Sequence, residues 1–189
     1  MQERRYTEDH RSRHTMSTYL DKGVVIWLTG LPGAGKTTIG KMLYDKIRSL
    51  GFNAELLDGD ELRKNISSEL GFSRNDRETH AKRVAFLSHL LSRNGVITIV
   101  ALISPFRSSR SYARDLNTNF LEVYVKCPIE ICQKRDPKGL YSNAAAGKIS
   151  NMTGVQDPYE EPLNPELVID TEHDTPTECA GKIMRRLEI

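Results

Sequence analysis

Val24-Val25-Ile26-Trp27-Leu28-Thr29, then Gly30-Leu31-Pro32-Gly33-Ala34-Gly35-Lys36-Thr37, is the stretch from which the rest of the chain is read. The first six residues are almost wholly apolar, as a central parallel strand buried on both faces requires. The next eight are G-x-x-x-x-G-K-[ST], and Ile39, Leu43, Ile47 and Leu50 then recur at helical spacing. Strand, glycine-rich loop and helix together make a phosphate-binding loop. Its glycines let several backbone N–H groups turn toward one anion, and the helix start adds the positive end of its dipole. Lys36 can reach the β- and γ-phosphates, and the Thr37 hydroxyl can ligate Mg²⁺. The stretch therefore predicts a bound nucleoside triphosphate.

Outward from the loop, strands and helices alternate. Ala54–Leu57 reads as a second strand and Val96–Ile103 as a third, central one. Phe120–Val125 is a fourth and Leu167–Asp170 a fifth. Helices are expected over 36–50, after Asp60, over 76–94 with Ser73 or Asn75 as cap, after Pro105, over 128–132, and over 177–187. The pattern predicts an α/β, three-layer P-loop NTPase fold: a five-stranded parallel sheet with helices on both faces. From Arg135 to Pro165 periodicity fails and glycine and proline accumulate, so this segment reads as a lid, with one short helix at Ala144–Lys148. Residues 1–22 are polar and mixed in charge, and read as an N-terminal arm before a kinase domain over 23–189.

Bulk composition narrows the class. A formal net charge of +2 is too balanced to point to nucleic acid. No apolar run reaches membrane-spanning length, and none follows Arg4, Arg5, Arg11 and Arg13 to make a secretory signal. Cys127, Cys132 and Cys179 form no C-x-x-C pair, which fits reduced thiols in a cytoplasmic protein.

The chemistry falls at the carboxyl ends of the expected strands, where open α/β sheets bind ligands. Asp58-Gly59-Asp60 follows the second strand. Either it is a turn with a helix N-cap, or Asp60 orients and deprotonates an acceptor hydroxyl while Mg²⁺ or a hydroxyl compensates Asp58. Arg63, Arg77 and Arg83 can serve an anionic second substrate, although each taken singly also suits a surface position. Phe72 stacks on a base or plugs the core. Ser104 ends a central strand as a ligand or as a phosphorylated intermediate; direct transfer is simpler, because no partner base is evident. Arg135 lies where it can meet the donor nucleotide, and Lys138 and Lys148 can close over phosphates. His80 and the other histidines show no metal spacing.

With these residues assembled, the chain resembles the adenylylsulfate kinases over roughly Gly23 to Thr171. The motifs are IWLTGLPGAGKTT, LDGDELR, GFSRNDRE, ISPFR, EVYVKCPIEICQKRDPKGLY and TGVQDPYEEP, in that order. The resemblance implies MgATP-dependent phosphorylation of the 3′-hydroxyl of adenosine 5′-phosphosulfate (APS), in a homodimer serving sulfate activation. It implies that the loop, with Thr38, holds ATP. It makes Asp60 the base, acting with Lys36 and Ser104. Arg63, Arg77, Ile103, Ser104 and Lys138 would contact the acceptor, and Phe72 would stack on its adenine. Two positions depart from the family pattern. His80 stands where members carry a substrate-contacting Asn, and Met152 where they carry the second aromatic wall. Those departures raise a different nucleotide-like acceptor as an alternative. A nucleotide-binding regulatory subunit without turnover is the reading from another class.

Overall fold

The computed structural model describes residues 23–189; the arm expected over 1–22 lies outside them. Five parallel strands form one sheet in the order β2-β3-β1-β4-β5. These are β1 (Val24–Thr29), β2 (Ala54–Asp58), β3 (Ile97–Ala101), β4 (Phe120–Lys126) and β5 (Leu167–Asp170). The helices are α1 (Lys36–Ser49), α2 (Gly59–Ile66), α3 (Arg74–Ser92), α4 (Arg107–Leu116), α5 (Ile129–Arg135), α6 (Leu140–Ala145) and α7 (Pro176–Arg186).

The central strand explains the three layers. Along β1 the side chains alternate between two cores. Val24, Ile26 and Leu28 pack with Ile39, Leu43 and Ile47 of α1 and with Ala180 and Ile183 of α7. Val25 and Trp27 pack with Val84 and Ala85 of α3 and Ala113 of α4. Both faces are thus dry, as the unbroken apolar run requires. Each fully buried Val, Leu or Ile contributes about 1.5–3 kcal/mol.

The sheet's register brings the strand ends into line, since Thr29 pairs with Tyr124 and Leu28 with Ala101, while Asp58 also pairs with Ala101. Helix starts follow local chemistry. Ser73 and Asp76 form a capping box that starts α3 at Arg74, and Thr175 and Glu178 form another at α7 behind Pro176.

Two expected elements differ. The third strand leaves the ladder before Ile103, because Ser104 turns to φ 39° and the Thr29 hydroxyl takes the Ile103 carbonyl at 2.8 Å. The short helix expected at Ala144–Lys148 instead runs from Leu140 to Ala145. The Asp136 carboxylate starts it by accepting from the backbone N–H groups of Tyr141 (3.1 Å) and Ser142 (3.0 Å). Buried Tyr141 then donates its hydroxyl to the Pro32 carbonyl at 3.0 Å, so this part of the expected lid rests on the phosphate-binding loop.

Candidate active site

A cavity of about 640 Å³ opens at the carboxyl ends of β1, β2 and β3. Its floor is the loop after β1. Gly35 sits at φ 96° as the residue before α1, a left-handed conformation that a side chain would strain. Residues from Pro32 to Thr38 line the cavity, with the start of α1 beneath them. Lys36 is folded back onto the loop, donating to the carbonyls of Gly30 (2.9 Å) and Leu31 (2.8 Å). Burial pushes its pKa down to about 8, against the pull of Asp60 and Asp58.

Asp58 answers to both sequence readings. Its Oδ1 caps α2 by accepting from the N–H groups of Asp60 (3.0 Å) and Glu61 (3.3 Å). Its Oδ2 accepts the Thr37 hydroxyl at 2.7 Å. Asp58 therefore belongs to the loop side of the cavity. A hydroxyl beside a carboxylate at the phosphate end is a set of hard oxygen donors, and it fits Mg²⁺. Asp60, the second residue of α2, is open to the cavity and forms an ion pair with Lys138 from the α5–α6 connection.

On the opposite wall Phe72 is 54% exposed, with the guanidinium carbons of Arg63 and Arg77 at 4.9 and 5.5 Å from its ring centre. Arg63 donates to the Gly71 carbonyl at 2.7 Å, and Arg77 to the carbonyls of Phe72 (3.0 Å) and Asn151 (2.6 Å). Partial burial lowers the pKa of both below the usual arginine value. Arg83 lies elsewhere, paired with Glu69 at 2.6 Å.

His80 lines the cavity but turns both ring nitrogens into the protein. Nε2 faces the Gly59 carbonyl at 3.1 Å and Nδ1 faces Ser67 Oγ at 3.0 Å. A carbonyl only accepts, so Nε2 carries the proton and Nδ1 accepts from Ser67. Desolvation, aided by Arg63, pushes the His80 pKa down to about 4, so the ring is neutral near pH 7. His80, which stands at an expected acceptor-contact position, thus lines the cavity while its ring nitrogens tie α3 to α2. Met152 was expected at the acceptor's adenine. It is buried in the core on the α1 side of the sheet and is not part of the cavity wall.

Ser104 stands on the wall beside Ile103, with its hydroxyl fully engaged. Trp27 Nε1 donates to its Oγ at 3.0 Å, and the Oγ in turn donates to Thr29 Oγ1 at 3.1 Å. Tyr159 also donates to Thr29 Oγ1, at 2.9 Å, since the Thr29 proton is spent on Ile103. A hydroxyl held this way, with no base in reach, is not set up as a nucleophile; the phosphorylated-intermediate reading of Ser104 is set aside. Arg135 donates to the carbonyl of Thr171 and, at 3.3 Å, to its hydroxyl; that hydroxyl also meets the Ala34 carbonyl at 3.0 Å. Arg135 thus braces the outer side of the loop.

Sequence reasoning missed the supports behind this wall: Trp27, Thr29, Tyr159 and, above all, Arg110. Only the polar ending of an otherwise apolar strand, at Thr29, hinted at one of them. It also missed the grouping of Asp170, Glu172 and His173 on the turn after β5, where His173 pairs with Asp170 at 3.0 Å. Among the described residues no helix is long and apolar enough to cross a membrane.

A sequence model of the family described as adenylylsulphate kinase matches residues 22–170. An adenylyl-sulfate kinase of Rippkaea orientalis is 50% identical over 167 residues, 88% of this chain and 92% of that protein. The structure of the Mycobacterium tuberculosis APS kinase in complex with AMPPNP and APS superposes with a TM-score of 0.86 at 36% identity, covering 89% of this chain and 99% of that one. A hexameric APS kinase from Thiobacillus denitrificans superposes at 0.68 with 29% identity, covering 97% of this chain and 32% of that one.

Proposed function

The chain belongs to the adenylylsulphate kinase family, and from that premise we propose that it transfers the γ-phosphoryl group of ATP to the 3′-hydroxyl of APS. The product is 3′-phosphoadenosine 5′-phosphosulfate. The observation that carries the acceptor assignment is the exposed Phe72 ring beside two guanidinium groups, on the same cavity as the phosphate-binding loop and Asp60. An aromatic plane suits a nucleobase, and arginines suit the paired anions of a phosphosulfate.

In this reading the γ-phosphate displaces the loop carbonyls from Lys36. Thr37 and Asp58 hold Mg²⁺, which supplies charge neutralisation on the phosphate oxygens when bound. Asp60 accepts the 3′-hydroxyl proton as the hydroxyl attacks phosphorus in line and ADP leaves. Phosphoryl transfer has a loose transition state, so positioning does more than base strength. Lys138 keeps Asp60 neutralised until substrate arrives and is then free to pair with the acceptor's anions. Arg63, Arg77 and the Ile103–Ser104 turn hold the phosphosulfate. The segment over 135–165 closes the cavity, with α6 already seated on the loop.

A different acceptor was suggested by His80 and Met152. Neither offers new recognition chemistry: the His80 nitrogens are both engaged, and Met152 lies in the core. Three free cysteines, all buried, accord with a cytoplasmic setting. The homodimer rests on the family resemblance alone, and a light-scattering mass of twice the chain tests it.

The deciding experiment follows ADP release with APS, AMP and cytidine 5′-phosphate as acceptors. APS should exceed both others in kcat/KM by more than about tenfold, because a missing sulfate leaves half-buried arginines without their anion. Equal use of AMP would sink the assignment.

A further inference from the structure

Arg110 is buried to 2% exposure behind the cavity wall, and its guanidinium binds three separate segments. Nε donates to Glu122 Oε1 of β4 at 2.8 Å, Nη1 to the Ser104 carbonyl at 2.6 Å, and Nη2 to the Glu160 carbonyl at 2.6 Å. Glu122 is fixed in turn by Arg114 Nη2 at 3.1 Å, and Arg114 is paired through both terminal nitrogens with Glu166 at 2.6 and 2.9 Å. We propose that Arg110 is a positioning residue for the acceptor, setting the Ile103–Pro105 wall against the 159–161 segment. This rests on the acceptor reading given above.

The geometry shows why an arginine stands here. Ser104 holds φ 39°, which a non-glycine residue keeps only when its surroundings enforce it. Two groups enforce it from the side chain, Trp27 and Thr29, and Arg110 enforces it from the carbonyl. The same turn is knitted to the 159–161 segment by Glu160 N–H donating to the Pro105 carbonyl at 2.8 Å. Arg107 N–H donates to Glu160 Oε2, also at 2.8 Å. Tyr159 adds its hydroxyl bond to Thr29. A buried ion pair is weak evidence for stability in itself, because well-packed apolar groups often replace one without loss. What such groups cannot reproduce is a planar fork that fixes three acceptors in three directions. The donor loop makes none of these bonds, so a fault here should be felt by the acceptor alone.

Two variants test this, Arg110→Lys and Tyr159→Phe, with folding checked by thermal melting and KM measured separately for APS and ATP. Lysine keeps the charge opposite Glu122 but lacks the fork. Arg110→Lys should lower kcat/KM for APS about 10- to 100-fold while the KM for ATP moves less than about threefold, the scale expected for a misplacement near 1 Å. Tyr159→Phe should shift the same parameter in the same direction by a smaller factor. If folded Arg110→Lys leaves the APS parameters unchanged, or lowers APS and ATP parameters together, the proposal is overturned. Should Arg110→Lys fail to fold, Tyr159→Phe decides, since it keeps the ion pair; an unchanged KM for APS overturns the proposal. Wild-type turnover of APS is the control: its absence would sink the acceptor reading, not this one.

Discussion

The two halves of the cavity are built in opposite ways. The donor half is centred on one continuous stretch, Gly30 to Thr38, whose lysine is already bonded to the loop's own carbonyls. The acceptor half is gathered from α2, the Gly71–Ser73 turn, α3, the β3 exit and the α5–α6 connection. Its cations reach across the chain: Arg77 to Asn151, Lys138 to Asp60, Arg110 to Ser104 and Glu160. A half made of backbone amides tolerates little change of sequence but needs few neighbours. A half made of side chains can be retuned residue by residue, and it depends on buried supports that touch no ligand.

The contrast can be broken most sharply at Asp60. Asp60→Asn should lower turnover by about 10²–10⁴ while ATP affinity stays within about threefold, as read by single-turnover kinetics and nucleotide titration. Near-normal turnover would return Asp60 to a mere helix-start residue.

His80 comes next, through pH. Folded, its pKa is near 4; unfolded, it titrates at the ordinary 6.5. Between those values the unfolded chain binds the extra proton. Stability is therefore lost as pH falls from about 6.5 toward 4, by up to about 3 kcal/mol, and this contribution levels off below. In His80→Asn the slope of denaturant stability against pH should flatten over that window. An unchanged slope would mean that His80 is not the buried neutral group.

Phe72→Ala should weaken APS by about 1–3 kcal/mol, the usual worth of one base stacked on an aromatic ring, with ATP binding unaffected. Equal loss for both nucleotides would erase the distinction between the halves. Smallest is the pH response of the donor side. Lys36 has its pKa lowered to about 8, and a bound phosphate favours its charged form. ATP binding should therefore take up a proton above pH 8, with affinity falling by up to about tenfold per unit. Calorimetry in two buffers of different ionisation enthalpy measures the uptake.

The same division governs what could be read in the sequence. The loop, the strand before it and the helix after it are set by local chemistry, so their extents were legible, as was the five-stranded parallel order of elements. Asp60 was legible as a candidate because it sits just past the end of β2, whereas Arg63, Phe72 and Arg77, on α2, the turn after it and α3, were legible by residue type. The orientation of His80 was hidden because a periodic pattern does not show which way a polar side chain faces when its partners, Gly59 and Ser67, lie on another element. Arg110 was invisible for the same reason. An arginine in a helix with polar neighbours reads as surface, and only the fold brings Glu122, Ser104 and Glu160 around it. The helix at 140–145 was displaced because its start depends on the Asp136 carboxylate reaching forward to Tyr141 and Ser142.

The sheet order has a consequence for how the protein is made. β1 is the earliest strand of the sheet in the chain, yet it pairs with β3 and β4. On a ribosome, Val24–Thr29 emerges with neither neighbour in existence and waits, apolar on both faces, until Ile97–Ala101 and then Phe120–Lys126 follow. The nascent chain must therefore shelter this apolar segment while the residues from β2 through β3 and β4 are made. A chain cut short in the turn before β3 carries all eight residues of the nucleotide motif and none of the frame that shapes them.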